Sequence, residues 1–281
     1  MTRFKYTTAH LLALAMLAVS GSSWAEPPQP GDTREILGIT FAWCPPGSYE
    51  RGNDAPAAKI AEEFGGVPEW YSDADPKCTV NIASGFWIGI HEVTAAQWNA
   101  NAPDDLNFAV NSKVEGSENL PLAGQPLANI RKFIAGLTEK GQGAFRLPTE
   151  DEWEYACRAG LQGRDLPEYD ETLYAEHAWY AGNMRVTASA LPVPAGTKKP
   201  NNWGIYDMLG NVAEWCDTPY MNYHCQGPAN SDLLPASTGI FVVRGGSFLS
   251  TRGFARAAAR AGLEETKTSI SLGFRLVVVT P

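Results

Sequence analysis

A mixed α+β chain with long irregular connections is what this sequence predicts, and three observations carry the expectation. Short apolar runs bounded by Gly and Pro recur as strand signals. A few stretches show helical spacing or capping. Two long segments, 50 to 75 and 161 to 200, mix Gly, Pro and charge with isolated aromatics. The 281 residues are 44% hydrophobic and 19% charged, which suits one large domain or two small ones and excludes a disordered chain or a coiled coil.

Residues 1–25 read as a secretory signal: Arg3 and Lys5, an apolar run from Leu11 to Val19, then Ser23-Trp24-Ala25 as a cleavage site. The run is too short to span a bilayer, so cleavage near Ala25 and a periplasmic product with no membrane span are expected. Removing Arg3 and Lys5 from 22 basic residues leaves 20 against 31 acidic ones, a balance that repels phosphate backbones and argues against nucleic acid. Export also makes disulfides permissible for Cys44, Cys78, Cys157, Cys216 and Cys225. Cys44 and Cys78 adjoin strand signals and Cys216 and Cys225 bracket one polar loop, so these pairs are expected, with Cys157 left over. No C-x-x-C spacing supports a redox or metal site.

Residues 26–35 are a Pro-rich leader, and the main domain is expected over 36–281. Ile36 to Trp43 reads as a strand ending at Pro45-Pro46-Gly47, and 50–75 as a surface loop. Strand signals return at Cys78 to Ile82 and Phe86 to Ile90. Thr94 caps a short helix from Ala95 to Asn99 that buries Trp98. Leu127, Ile130, Ile134 and Leu137 predict an amphipathic helix from Pro126 to about Lys140. Thr149 and Glu152 form a capping box opening a helix that stops at Gly160, and Glu150, Asp151 and Glu152 suit its first turn. Strands are expected over 241–248, breaking at Gly245-Gly246, and over 273–279.

The stretch from Asn201 to Glu214 turns at Gly204 and Gly210. It can aim carbonyls and the side chains of Asp207 and Glu214 at one hard cation, or it is an Asx turn capped by Asp207 with Glu214 in solvent. Arg252, Arg256 and Arg260 are the arginine concentration of a net acidic chain, either structural forks to carboxylates or a site for an anionic or phenolate substrate. His91, His177 and His224 are dispersed, and His91-Glu92 opens no H-E-x-x-H. His177 stands out because Trp179, Tyr180 and Asn183 follow it.

Arg-Leu-Pro-Thr-Glu-x-Glu-Trp-Glu-Tyr at 146–155, Gly-Ile-Tyr-Asp-Met-Leu-Gly-Asn-Val-Ala-Glu-Trp at 204–215, Arg-Gly-Gly-Ser-Phe at 244–248 and Gly-Phe-Arg at 273–275 together resemble the formylglycine-generating enzyme, or sulfatase-modifying factor, family. The resemblance implies one irregular α+β domain similar to C-type lectin folds, low in regular structure and often stabilised by calcium. Asp207 and Glu214, with the carbonyls of Gly210 and Val212, match the family's second calcium site. Of the first, Asn183 and Met184 match. The family's copper(I) and dioxygen chemistry uses two cysteines after Gly-Gly-Ser. Here Ser250 and Ala255 stand at those positions, and a hydroxyl does not replace a thiolate for copper(I). Cys157 matches a family cysteine whose usual partner segment is Arg256-Ala257-Ala258-Ala259-Arg260 here, which agrees with leaving it unpaired.

An exported member without the copper cysteines resembles the branch that matures siderophores, oxidising the dihydropyoverdine chromophore to pyoverdine, beside other periplasmic maturation enzymes. The substrate expected is a siderophore precursor peptide or small-molecule chromophore. Ser247 and Ser250 are the expected hydrogen-bond partners, Arg260 a phenolate stabiliser, and His177 or Glu264 a base. The alternative is a noncatalytic lectin-like scaffold for a peptide, siderophore or partner enzyme. Formylglycine generation lacks its thiolates.

Overall fold

Leu37 and Gly38 divide the first apolar run. Both take positive φ, 54° and 74°, so what reads as one strand is a hairpin of β1 (Thr33–Ile36) and β2 (Ile39–Cys44). The computed structural model describes residues 27–106, 117–184, 191–221 and 239–279. The export signal, His224 and Cys225 lie outside them.

β3 (Gly47–Arg51) and β4 (Cys78–Ile82) form a two-stranded ribbon, and β5 (Phe86–Gly89) returns along β2. With β6 (Ala144–Arg146) and β11 (Val277–Val279), the first sheet is antiparallel in the order β1-β2-β5-β11-β6. The second sheet joins β7 (Ala213–Pro219), β8 (Ile240–Arg244) and β9 (Arg260–Glu264), with β10 (Leu272–Gly273) parallel to β7. The strand expected over 273–279 is thus split between two sheets. Phe274, Arg275 and Leu276 are fully buried at the crossing, where the Arg275 side chain is drawn to Glu214 of β7.

The structure corrects both irregular segments. Within 50–75 lies α1 (Ala57–Phe64), which buries Ala57, Ile60 and Ala61. Its N-cap is Pro56, without a side-chain hydrogen bond, so the sequence carries no start signal for it. Within 161–200 lies α5 (Glu171–His177), capped by Asp170 and burying Tyr174 alone, too little for a periodic pattern. The other helices follow their signals. α2 (Ala95–Asn101) has a complete Thr94 and Gln97 capping box. α3 (Leu127–Glu139) buries Leu127, Ile130, Phe133 and Leu137. α4 (Glu150–Arg158) has the Thr149 and Glu152 box and stops through Ala159 and Gly160, both at positive φ. Trp98 stacks on Phe133 at 4.5 Å, and Phe274 meets both rings edge-on.

The expected disulfides do not form. Cys44, Cys157 and Cys216 are free thiols, all buried, whereas Cys78 is disulfide-bonded. Cys44 is wholly buried on the core side of β2, and burial pushes its thiol pKa well up. Adjacency to strand signals does not bring it to Cys78. Among the described residues no helix is long and apolar enough to cross a membrane.

Candidate active site

β8 runs into Gly245 and Gly246, both at positive φ, and the chain then turns back on itself. A Cβ at Gly246 would collide with the Phe254 carbonyl, so glycine lets the two limbs of the 246–254 loop touch. Inside it the Ser247 N–H donates to Ser250 Oγ at 3.0 Å and the Leu249 N–H to Ser247 Oγ at 3.2 Å. The two hydroxyl oxygens lie 3.4 Å apart. Each already accepts a backbone N–H, so each can direct its own proton at a guest. Ala255 is fully buried, and its carbonyl accepts from Tyr174 Oη at 2.7 Å.

One side of this loop is an aromatic shelf. Phe254 is 41% exposed and stacks on Tyr71 at 5.6 Å, and Trp70, 56% exposed, lies 5.8 Å from Phe254. Leu249, 42% exposed, extends from the same loop. Arg256 fixes the shelf from beneath: its Nε–H donates to the Gly253 carbonyl at 2.9 Å, and its guanidinium lies 5.2 Å from the Tyr71 ring.

A buried ionic network holds the strand that leads into the loop. Arg244 donates to the carbonyls of Ala257, Ala258 and Ala259 and pairs with Glu154. Glu154 also accepts from Arg158 Nε at 2.9 Å and from the Gly52 N–H at 2.9 Å. Burial pushes the Glu150 carboxyl up, but Arg244 and Arg260 outweigh it and hold it below its ordinary value.

The loop from Asn201 to Glu214 lies beside α5 and the start of β7. Gly210 is required because a Cβ there would collide with the Trp179 carbonyl. Asp207, at φ 56°, is buried; its Oδ2 accepts from the Gly196 N–H at 2.6 Å, and its Oδ1 has no partner among the described residues. Glu92, which no motif singles out, is fully buried, and neither of its oxygens meets a partner among the described residues. Burial, then the charge of Asp207, pushes the Glu92 carboxyl well up, and burial raises Asp207 to about 6. Unpartnered carboxylate oxygens are the donors a hard cation takes. Glu214 differs: its two oxygens accept from Arg275 Nε and Nη2, both at 2.7 Å, and Oε2 also accepts from Trp153 Nε1 at 2.7 Å. It is fully buried, which rules out the solvated alternative.

The remaining sequence-selected residues do not gather at the serine loop. Arg260 grips Glu150 through Nε at 2.7 Å and Nη2 at 2.8 Å, so its fork is structural. Glu264 sits at the opposite end of β9 from Arg260, exposed and paired with Lys267 at 3.4 Å. His177 lines a separate cavity of about 180 Å³ with Cys157, Asn201 and Met208, and its Nδ1 lies 3.0 Å from the Lys199 carbonyl oxygen. Burial lowers its pKa. Ser247 and Ser250 are the pair the fold brings together.

Glu168, which also lines that cavity, is buried, with Oε2 unpartnered among the described residues. Burial raises its carboxyl from 4.5 to about 7. Its protonated form is therefore favoured by the folded state: its contribution is full below about pH 4.5 and lost as pH rises through 7. Glu168→Gln should remove up to about 3 kcal/mol of this pH dependence and raise stability at pH 8. Parallel denaturation curves for both proteins across pH 4 to 8 would refute it.

The sulfatase-modifying factor enzyme 1-like domain family matches residues 33–280. This chain belongs to that family. The formylglycine-generating enzyme of Streptomyces coelicolor is 33% identical over 142 residues, 46% of this chain and 45% of that enzyme. The chain therefore matches less than half the length of that relative. Among solved structures, PvdO from Pseudomonas aeruginosa superposes with a TM-score of 0.72 at 23% identity, over 90% of this chain and 99% of PvdO. Treponema denticola variable protein 1 gives 0.67 at 22%, over 89% and 99%. At these identities the structures show the fold: a single sulfatase-modifying-factor domain of mixed helix and sheet.

Proposed function

We propose that this sulfatase-modifying-factor domain is an oxidase of an electron-rich aromatic chromophore, of the dihydropyoverdine class, acting after export to the periplasm. The supporting observation is that the loop holding the Ser247 and Ser250 hydroxyls also carries Phe254, which packs with Trp70 and Tyr71; the family resemblance adds that Ser250 stands where a thiolate would. A dihydroquinoline ring stacks on Phe254 while its phenolate oxygen receives hydrogen bonds from Ser247 and Ser250. Stabilising the phenolate makes the ring a better reductant. Two electrons and two protons leave it for dioxygen, which becomes hydrogen peroxide, and the ring gains a double bond.

The visible absorption of the reduced chromophore precursor, incubated with the mature protein under air, tests this reading. Oxidation should exceed the protein-free control, scale with protein, and fall about tenfold or more in Ser250→Ala and in the Trp70→Ala, Phe254→Ala double variant. A rate equal to the control combined with tight binding would leave the second reading, a noncatalytic scaffold, which the exposure of Trp70 and Phe254 also favours.

A structural calcium belongs to the same proposal. Asp207 Oδ1, with the carbonyls of Gly210 and Val212, would hold it, Glu92 would supply further oxygens, and Glu214 would act through its fork with Arg275. Bound calcium would cancel the repulsion between two buried carboxylates. Calcium at about 100 times its Kd should then stabilise the protein by about 2.7 kcal/mol, raising the melting temperature. Identical melts in calcium and in chelator would sink it, as would an undiminished calcium shift in Asp207→Asn.

A further inference from the structure

One end of the first sheet carries a second candidate site. Trp43 of β2 and Trp87 of β5 are cross-strand partners, with ring centroids 5.2 Å apart. Arg34 of β1 lays its guanidinium over Trp87, 4.4 Å from the ring centroid. These side chains, with Pro28, Val278 and Val279, line a cavity of about 340 Å³. Gly85 widens it, because a Cβ there would collide with the Trp43 ring.

The polar end of this cavity is unanswered. Arg34 Nε and Nη2 are buried and meet no acceptor among the described residues. These two nitrogens form the side-on edge of a guanidinium, the same edge through which Arg275 grips Glu214 and Arg260 grips Glu150. Burial lowers the Arg34 pKa, and no carboxylate offsets it. Unlike the edges of Arg275 and Arg260, the Arg34 edge meets no carboxylate among the described residues. A planar edge of two donors beside two indole faces matches one ligand chemistry: a carboxylate on a flat aromatic body.

We propose that Arg34, Trp43 and Trp87 form a binding site for an aryl carboxylate, separate from the serine loop. The carboxylate takes both hydrogen bonds from the Arg34 edge, and the aromatic body packs between Trp43 and the Val278 and Val279 side. The site does not depend on the oxidase reading, since its side chains stand on strands of the first sheet, whereas the 246–254 loop follows β8 of the second.

Calorimetric titration of benzoate into the whole mature chain tests it. A ligand this small should bind with a Kd on the order of 1 to 10 mM. Arg34→Gln and Trp43→Ala should each weaken benzoate about tenfold, and Arg34→Lys nearly as much, because lysine keeps the charge and loses the fork. Benzamide, a neutral isostere, should bind about tenfold more weakly to the unaltered protein. Thermal melts of the variants separate loss of the site from loss of the fold. No binding at about 50 mM benzoate would overturn the proposal, as would equal affinity in Arg34→Gln. Acetate or inorganic phosphate binding as tightly as benzoate would overturn its aromatic half and leave a plain anion site.

Discussion

Arg275→Met should destabilise the protein by about 3 to 5 kcal/mol, the largest effect expected of any single substitution here. Arg275 is fully buried and donates to both oxygens of Glu214 and to the carbonyls of Gly89 at 2.9 Å and Tyr206 at 3.0 Å. Without it, Glu214 keeps the Trp153 indole N–H alone, and the buried carboxyls of Glu92 and Asp207 lose the nearest cation. Methionine fills a similar volume, so the cost reads charge and hydrogen bonding rather than a void. Arg275→Lys should recover part of the loss, because it restores charge without the fork. Chemical denaturation measures both. A loss below about 1 kcal/mol in Arg275→Met would show that the carboxyls are already neutral and need no cation.

Arg244→Met should cost a similar amount, about 3 to 5 kcal/mol, and should also impair the serine loop. Arg244 joins Glu154 to three successive carbonyls, those of Ala257, Ala258 and Ala259, and its own strand leads directly into Gly245. Losing it frees both ends of the segment that carries Ser247, Ser250 and Phe254. The double variant with Glu154→Gln should be less destabilised than the sum of the single changes, since neutralising Glu154 removes the stranded charge. Strict additivity in a double-mutant cycle would mean that the two side chains do not act as a pair.

Several parts of this architecture were legible in the sequence because their causes are local. The capping boxes at Thr94 and Thr149 lie within four residues, and the buried stripe of α3 repeats along one helix. The acidic run 150–152 divides as local chemistry requires only in part: Glu152 completes its cap, whereas Glu150 turns inward to Arg244 and Arg260. The α1 and α5 helices were not legible, because each is short and its burial comes from contacts made elsewhere in the chain.

By itself the sequence determined the family motifs, the absence of any cysteine after Cys225, and the glycines that permit the tight turns. Only the tertiary structure decided who meets whom. It set Arg260 on Glu150 rather than beside Ser250, separated Cys44 from a disulfide, and brought Glu92 to Asp207 across more than a hundred residues. The reason is physical: a capping box or a turn is fixed by neighbours along the chain. The partner of a buried charge is fixed by which distant segment the packing places within hydrogen-bonding reach, and burial makes that pairing obligatory.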